Sequence, residues 1–480
     1  MKLQDVKFRR KYSVNPYKNL KLKLYEMSMF KDWVNDKRGD PYTVLKTEGD
    51  ISERIDDASY IVTSEKGGQV CRLLGDYFSY YSYDIELGEL TNCKAGIRVC
   101  HPDGVIEAGI SSEGYAYATV DGEEKRADVK AEKGDIFTVN FRGNGISLYI
   151  NKGRRPVLLA DIPSKEVDTL LFEEKFTAAK AALFAVMGEG SAFRADKVEA
   201  YLCGATSHAD MKPVKYEDGS PIIENGRVYM SMSSRLEAGA YQSIISFNPT
   251  LCDFKLEGAL FFDCGDGKWC NDVASSIVFD RNSQQWYIWM CAFSHGHVPA
   301  RGITLADPRF GIQVIDVKTL EVSEDENRCV FKGFKGDEDP DLCLIDGKWH
   351  LTICRLEPGD GYHYYHFISD EPFDNFEYVD RTLTGGKTGG MMTMFEGEYY
   401  FVCGTDFNSR ANYDIYELGD FSVRYKLQCD YDDGGFRGWG SLIPIKMGSR
   451  TRYFWLTFDR HKGSDYNWSY GNIYCFEGDI

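Results

Sequence analysis

Leu342-Cys343-Leu344-Ile345-Asp346-Gly347-Lys348-Trp349-His350-Leu351 decides the fold of the C-terminal half of the chain. It reads as an apolar strand, an Asp-Gly turn and an aromatic strand, which together make a hairpin. The same form occurs five times. The second strands begin at Val228-Tyr229-Met230, Trp286-Tyr287-Ile288, Trp349-His350-Leu351, Tyr399-Tyr400-Phe401 and Tyr453-Phe454-Trp455, spaced by 58, 63, 50 and 54 residues. Four strands with their loops fit about 50 residues, the size of one propeller blade. Five such blades fill 216–480, and the expected domain runs over 206–480.

Upstream, period-two alternation marks Ala95–Cys100, Ile136–Phe141 and Ile146–Asn151 as strands with one wet face, as in two sheets packed face to face. Region 42–205 is therefore expected to be a β-sandwich domain, and its pattern resembles a concanavalin-like jelly roll. Residues 1–41 read as a separate N-terminal segment. A short helix is expected within Lys18–Val34, and Ser164–Ala182 mixes helix and loop signals. The fold class that follows is all-β, a sandwich and then a five-bladed β-propeller.

Composition narrows the function. Acidic residues outnumber basic ones, 74 to 56, for a net charge of −18. That surface repels phosphate backbones, so nucleic acid is excluded as a partner. No run approaches the ~18 apolar residues of a membrane helix, and no apolar stretch follows the N-terminal charges as in a secretory signal. The 14 cysteines are scattered without a C-x-x-C pair, as expected for free thiols in a reducing compartment. The expected address is the cytoplasm. The 31 Tyr, 29 Phe and 8 Trp suit strands, and aromatic faces also stack on sugar rings. No phosphate-binding loop, dinucleotide motif or G-x-S-x-G elbow is present.

Two of the presumed inner strands open on aspartates. One is Trp269-Cys270-Asn271-Asp272-Val273, the other Asp337-Glu338-Asp339-Pro340-Asp341. Here the chain resembles the five-bladed glycosidases of families 32, 43 and 68, over roughly its last 265 residues. The resemblance implies Asp272 as nucleophile or base and Asp339 as the carboxylate that binds sugar hydroxyls and tunes the acid. Glycoside cleavage needs one carboxylate to attack or to activate water, and a protonated group to feed the leaving oxygen. Asp341 shares strand parity with Asp339 and is expected on its face; Asp346 belongs to the Asp-Gly turn.

The family's glutamate acid is missing. Ten residues before Tyr399, where Asp339 stands relative to Trp349, the chain has Gly389, in Gly385-Gly386-Lys387-Thr388-Gly389-Gly390. Glu396 and Glu398 flank a turn outside the pocket. Glu237 and His295 are the candidate acids, and a histidine acid would resemble family 117. A phosphate-dependent phosphorylase resembling family 130 is the alternative, with Lys387, Arg301, Arg355 and Arg410 as anion ligands. A non-catalytic glycan-binding protein is the third reading. Asn271, Trp269, Asp341, Arg301, Arg355, Trp439 and His297 are the expected substrate contacts. His295, His297, His363 and His366 are expected near the pocket mouth. No cofactor and no metal are expected. The expected function is exo-hydrolysis of a small oligosaccharide, with no membrane partner, and the sequence leaves a homo-oligomer open.

Overall fold

Short runs of β-branched and aromatic residues broken by Asn-Gly, Asp-Gly and Glu-Gly turns give strands and no α-helix among the described residues. The structure, a computed structural model, describes residues 1–14, 21–26, 46–56, 58–77, 80–101, 104–120, 123–142, 145–151, 156–163, 179–203, 207–235, 240–265, 271–321, 333–405, 412–430, 436–460 and 470–479. The chain forms two units, 21–203 and a second made of 1–20 with 204–480.

The larger unit is a five-bladed propeller. Its inner strands are Ser207–Pro213, Asp272–Asp280, Asp337–Ile345, Lys387–Phe395 and Phe436–Met447, each at the head of one sheet except the second, which Lys215–Tyr216 flanks in parallel. Each inner strand packs on the next, and the fifth packs back on the first, so the ring closes. The five aromatic strands read from the sequence are the second strands of these sheets: Arg227–Arg235, Gln285–Ala292, Lys348–Glu357, Glu398–Thr405 and Arg450–Arg460. Closure uses both chain ends. Lys7–Val14 runs antiparallel to Tyr470–Asp479 in the fifth blade, so residues 1–41 divide between the units. Lys21–Glu26, expected as part of a helix, is a strand of the smaller unit, paired with Lys180–Cys203. Its alternation Lys21-Leu22-Lys23-Leu24 has period two, and pairing with a long strand overrides a weak helical signal.

The aromatic positions explain why the blades stick together. Tyr287 and Trp289 of the second blade pack against Trp349, Leu351 and Phe367 of the third. Tyr364 of the third and Phe401 of the fourth do the same one blade on. Trp289 is fully buried, with its Nε1–H donating to the Pro372 carbonyl at 3.0 Å. Truncating such a side chain costs roughly 3–5 kcal/mol.

A second repeat lies at the axis. Every inner strand loses register with its neighbour at one height: between Ala209 and Lys212, Val273 and Ser276, Glu338 and Asp341, Thr388 and Met391, and Arg437 and Ser441. The first extra residue is left-handed in four of them: Asp210 (φ +54°), Ala274 (+60°), Asp339 (+51°) and Gly389 (+58°). Aspartate and glycine tolerate that conformation, and a bulge re-aims the side chains beside it.

In the smaller unit, the strands expected from alternation lie within Tyr81–His101, Ile136–Arg142 and Gly145–Asn151. All its strands join one twelve-stranded hydrogen-bonded sheet. The reason is strand length. Tyr81–His101 pairs through residues 82–86 with one neighbour and through 94–101 with another, so one strand serves two halves of the sheet. Phe137, Val139 and Phe141 from one half share a buried core with Ile97, Ala108 and Ile110 from the other.

Candidate active site

The first, second and third inner strands bring four acidic residues to the bulge level: Asp210, Asp272, Glu338 and Asp339. Burial, and then the charges of Glu338, Asp339, Asp272 and Asp337, push the buried Cys291 thiol well up. Sequence reading named Asp272 and Asp339; it missed Asp210 and Glu338.

Asp339, 2% exposed, accepts a hydrogen bond from the Gly389 N–H at 3.0 Å. The glycine that stands where an acid was sought thus has a role, as a backbone donor to the neighbouring blade's carboxylate. Gly390 is equally constrained: a Cβ there would lie 2.3 Å from the Phe401 ring and 2.5 Å from that of Tyr364. Asp210 accepts from Ser233 Oγ at 2.5 Å and lies 3.9 Å from the Arg235 guanidinium. Burial, then the charge of Asp339, push Asp210 up to about 6.

Glu338 precedes the bulge and lies 3.0 Å from His297 Nε2, its side chain 13% exposed. His297 itself is left-handed (φ +63°) and held by its N–H to the Ala292 carbonyl at 3.0 Å. Burial pushes Glu338 up to about 7; His297 opposes the shift, and the charges of Asp339 and Asp210 add to it. The folded chain therefore keeps a proton that the unfolded chain releases near pH 4.5. This group's contribution to stability is whole below that pH and is lost as pH rises through about 7. Denaturant unfolding at pH 5 and pH 8.5 is expected to show wild type losing on the order of 1–3 kcal/mol more than Glu338→Gln across that interval. Equal losses would mean that Glu338 is ionised throughout.

Asp272 opens the second inner strand. It accepts from the Ser294 N–H at 2.9 Å and Ser294 Oγ at 2.5 Å, and lies 3.3 Å from His295 Nδ1. Burial raises it to about 6, against the bonds from Ser294 and His295. Asn271 beside it is left-handed (φ +56°), its N–H bound to the Ala240 carbonyl at 3.0 Å. Glu237, Trp269, Arg410 and the side chain of Trp439 lie outside the described residues.

Several expected contacts are engaged elsewhere. Asp341 does not share a face with Asp339, because the bulge between them breaks the alternation; Lys215, Ser276 Oγ and the Met392 N–H hold it in the core. Arg355 lies against Asp337 at 2.9 Å and over the Phe334 ring. Arg301 pairs with Asp374 at 2.8 Å in the turn between the third and fourth strands of the third blade. Lys387 is buried 2.6 Å from Asp414. His363 and His366 sit in the third strand of their blade, buried. His363 reaches the Thr382 carbonyl and Asp360, and His366 reaches His350 and Asp380, so neither lies at a pocket mouth.

No protein-family profile and no curated protein sequence matches the chain. Among solved structures it is similar to Zg3597, a family 117 glycoside hydrolase of the marine bacterium Zobellia galactanivorans, with 14% identity and a TM-score of 0.41 over 57% of this chain and 85% of that one. It is also similar to a thermostable family-43 glycoside hydrolase, with 14% identity and a TM-score of 0.38 over 57% and 90%. A third is the catalytic domain of the Coprinopsis cinerea family 62 α-L-arabinofuranosidase, with 13% identity and a TM-score of 0.35 over 57% and 98%. The five-bladed assignment rests on the closed ring of sheets itself.

Proposed function

We propose that the chain is a glycosidase in which Glu338 is the proton donor, Asp210 the base or nucleophile, and Asp339 the carboxylate between them. One arrangement carries this reading: buried Asp210 and Asp339 stand at the register breaks of the first and third inner strands, Glu338 adjoins the second break, and Lys212 beside the first break reaches the Pro340 carbonyl beside the second at 2.7 Å, so the charge of Asp339 pushes both Asp210 and Glu338 up. Carboxyl groups pushed to different pKa values divide into acid and base. With a pKa of about 7, Glu338 carries a proton for much of the time at neutral pH. It gives that proton to the departing glycosidic oxygen as the C–O bond breaks. Asp210, ionised at the same pH, takes a proton from the attacking water or attacks the anomeric carbon directly. His297, 3.0 Å from Glu338, orients the acid. Asp339, fixed by Gly389, transfers no proton; it tunes its neighbours and accepts sugar hydroxyls.

The substrate is a small neutral oligosaccharide, cleaved from one end, which the net charge of −18 does not repel. Hydrolysis is favoured over phosphorolysis because Lys387, Arg355 and Arg301 each face a carboxylate. A cytoplasmic site agrees with the free thiols of the eleven cysteines whose side chains are described.

A screen of aryl glycosides and of fructo-, arabino- and galacto-oligosaccharides, with and without phosphate, tests the reading. Wild type is expected to release free sugar at a rate independent of phosphate, and Asp210→Asn to lose at least about 10³-fold. Sugar phosphate as the product would overturn hydrolysis, and a fully active Asp210→Asn would overturn the site.

A further inference from the structure

Cys264, Asp272 and His295 converge from two blades. Cys264 directly follows the strand Asp253–Asp263 of the first blade, where the Gly265 N–H donates to Asp263 Oδ1 at 2.7 Å and turns the chain. His295 closes a short 3₁₀ turn, Phe293–His295, after the second strand of the second blade. Cys264 Sγ, a carboxylate oxygen of Asp272 and a ring nitrogen of His295 all lie within 4.8 Å of one another, and Asp272 Oδ2 is 3.3 Å from His295 Nδ1. Ligand atoms about a tetrahedral zinc ion, bonded at about 2.0–2.3 Å, stand roughly 3.5 Å apart. Contraction of a set already within 4.8 Å closes it on the ion.

Charge supplies a second, independent argument. Three other deeply buried aspartates of this unit face a full cation: Asp337 faces Arg355, Asp341 faces Lys215, and Asp414 faces Lys387. Among the described residues the ionic partner of Asp272, 3% exposed, is the imidazole of His295. An ion of charge +2 would balance the carboxylate and a thiolate. The donor types agree with that ion: sulfur, imidazole nitrogen and one carboxylate oxygen select a borderline-soft divalent metal over calcium or magnesium. Cys264 and the His295 ring are partly exposed, so an ion can enter. A second set of donors, Glu357, Asp360 and His363, is poorer. Both ring nitrogens of His363 already have partners, and Asp360 is 62% exposed.

We propose that Cys264, Asp272 and His295 form a three-ligand site for a zinc-class divalent cation, with the fourth position left to water. On binding, the Cys264 thiol gives its proton to solvent and the metal–sulfur bond takes its place. The site makes Asp272 a ligand rather than a proton carrier, and it does not depend on the roles given to Asp210 and Glu338.

The test uses the full chain, stripped with a chelator and titrated with Co²⁺ in the absence of substrate. One equivalent is expected to produce a thiolate-to-cobalt charge-transfer band, displaced by Zn²⁺. Cys264→Ser is expected to abolish the band, and His295→Gln to weaken binding at least tenfold. Melting curves of the metal-free proteins verify that both variants fold; Zn²⁺ is expected to raise the melting temperature of wild type and not that of Cys264→Ser. A stripped wild type that gives no band overturns the proposal, as does a band that persists in Cys264→Ser, which would place the ion at another cysteine. Because the readout needs no turnover, a missing band leaves the glycosidase reading intact. Loss of hydrolysis in Asp210→Asn with the band preserved leaves this one intact.

Discussion

Glu338→Gln is expected to slow the cleavage of an oligosaccharide by about 10²–10⁴-fold, the usual contribution of a positioned general acid. It is expected to spare aryl glycosides, because a nitrophenolate leaves without a proton and a sugar alkoxide does not. The two substrates together separate a proton donor from a residue that merely shapes the pocket, since damage to shape lowers both rates. The pH profile gives a second check. The protonated form of Glu338 disappears as pH passes about 7, so wild-type kcat/KM on the oligosaccharide should fall above that point, while the Gln variant loses this alkaline limb. His297→Gln removes the partner at 3.0 Å, which lowers the pKa of Glu338 by stabilising its ionised form. Its alkaline limb is therefore expected to move to higher pH, with a smaller loss of rate than Glu338→Gln shows. Equal slowing of aryl glycosides and oligosaccharides by Glu338→Gln would remove Glu338 from the chemistry.

The sequence carried the blades well and the site only in part, and the reason lies in the inner strands. The second strands are bounded by tight turns and filled with aromatics, so their spacing survives in the chain as a ruler. The inner strands do not keep that ruler. Asp339 stands ten residues before Trp349, but Asp210 stands eighteen before Val228, because Lys215–Ile223 is inserted between them, partly to pair with the second blade. Counting back ten from Val228 lands on Asp218, in a surface turn bonded to Ser220 and Arg281. Glu338 was hidden by a different effect. In a regular strand Glu338 would point away from Asp339, and Asp341 would point the same way as Asp339. The bulge at Asp339 and Pro340 reverses that expectation. A short sequence signal for it exists: an aspartate or glycine followed by a break in alternation, repeated at Asp210, Asp339 and Gly389 and tolerant of positive φ. It becomes visible only once the five strands are aligned on their bulges rather than on their aromatic partners.

Asp341 is the expected sugar ligand that the fold uses instead as a fastener, and Lys215→Met tests that change of role. Lys215 Nζ lies 2.8 Å from both carboxylate oxygens of Asp341, with side chains 2% and 1% exposed. The same carboxylate accepts from Ser276 Oγ at 2.9 Å in the second blade and from the Met392 N–H at 2.7 Å in the fourth. One side chain therefore joins three inner strands and the short strand Lys215–Tyr216. Removing the lysine strands a carboxylate among apolar groups, which costs about 3–5 kcal/mol, a large share of the ~5–15 kcal/mol that holds a typical domain folded. Asp341→Asn strands the ammonium and is expected to cost a similar amount. The double variant Lys215→Met/Asp341→Asn removes both charges of the pair and still lets the Asn carbonyl accept from Ser276 and Met392. Its unfolding free energy should exceed the additive expectation by at least about 1–2 kcal/mol. Turnover per folded molecule should stay at the wild-type level in the double variant, because a group enclosed by four internal bonds has none left for a sugar. If Asp341→Asn instead folds as firmly as wild type and loses turnover, Asp341 belongs to the substrate and the blades are fastened by their aromatic seams alone.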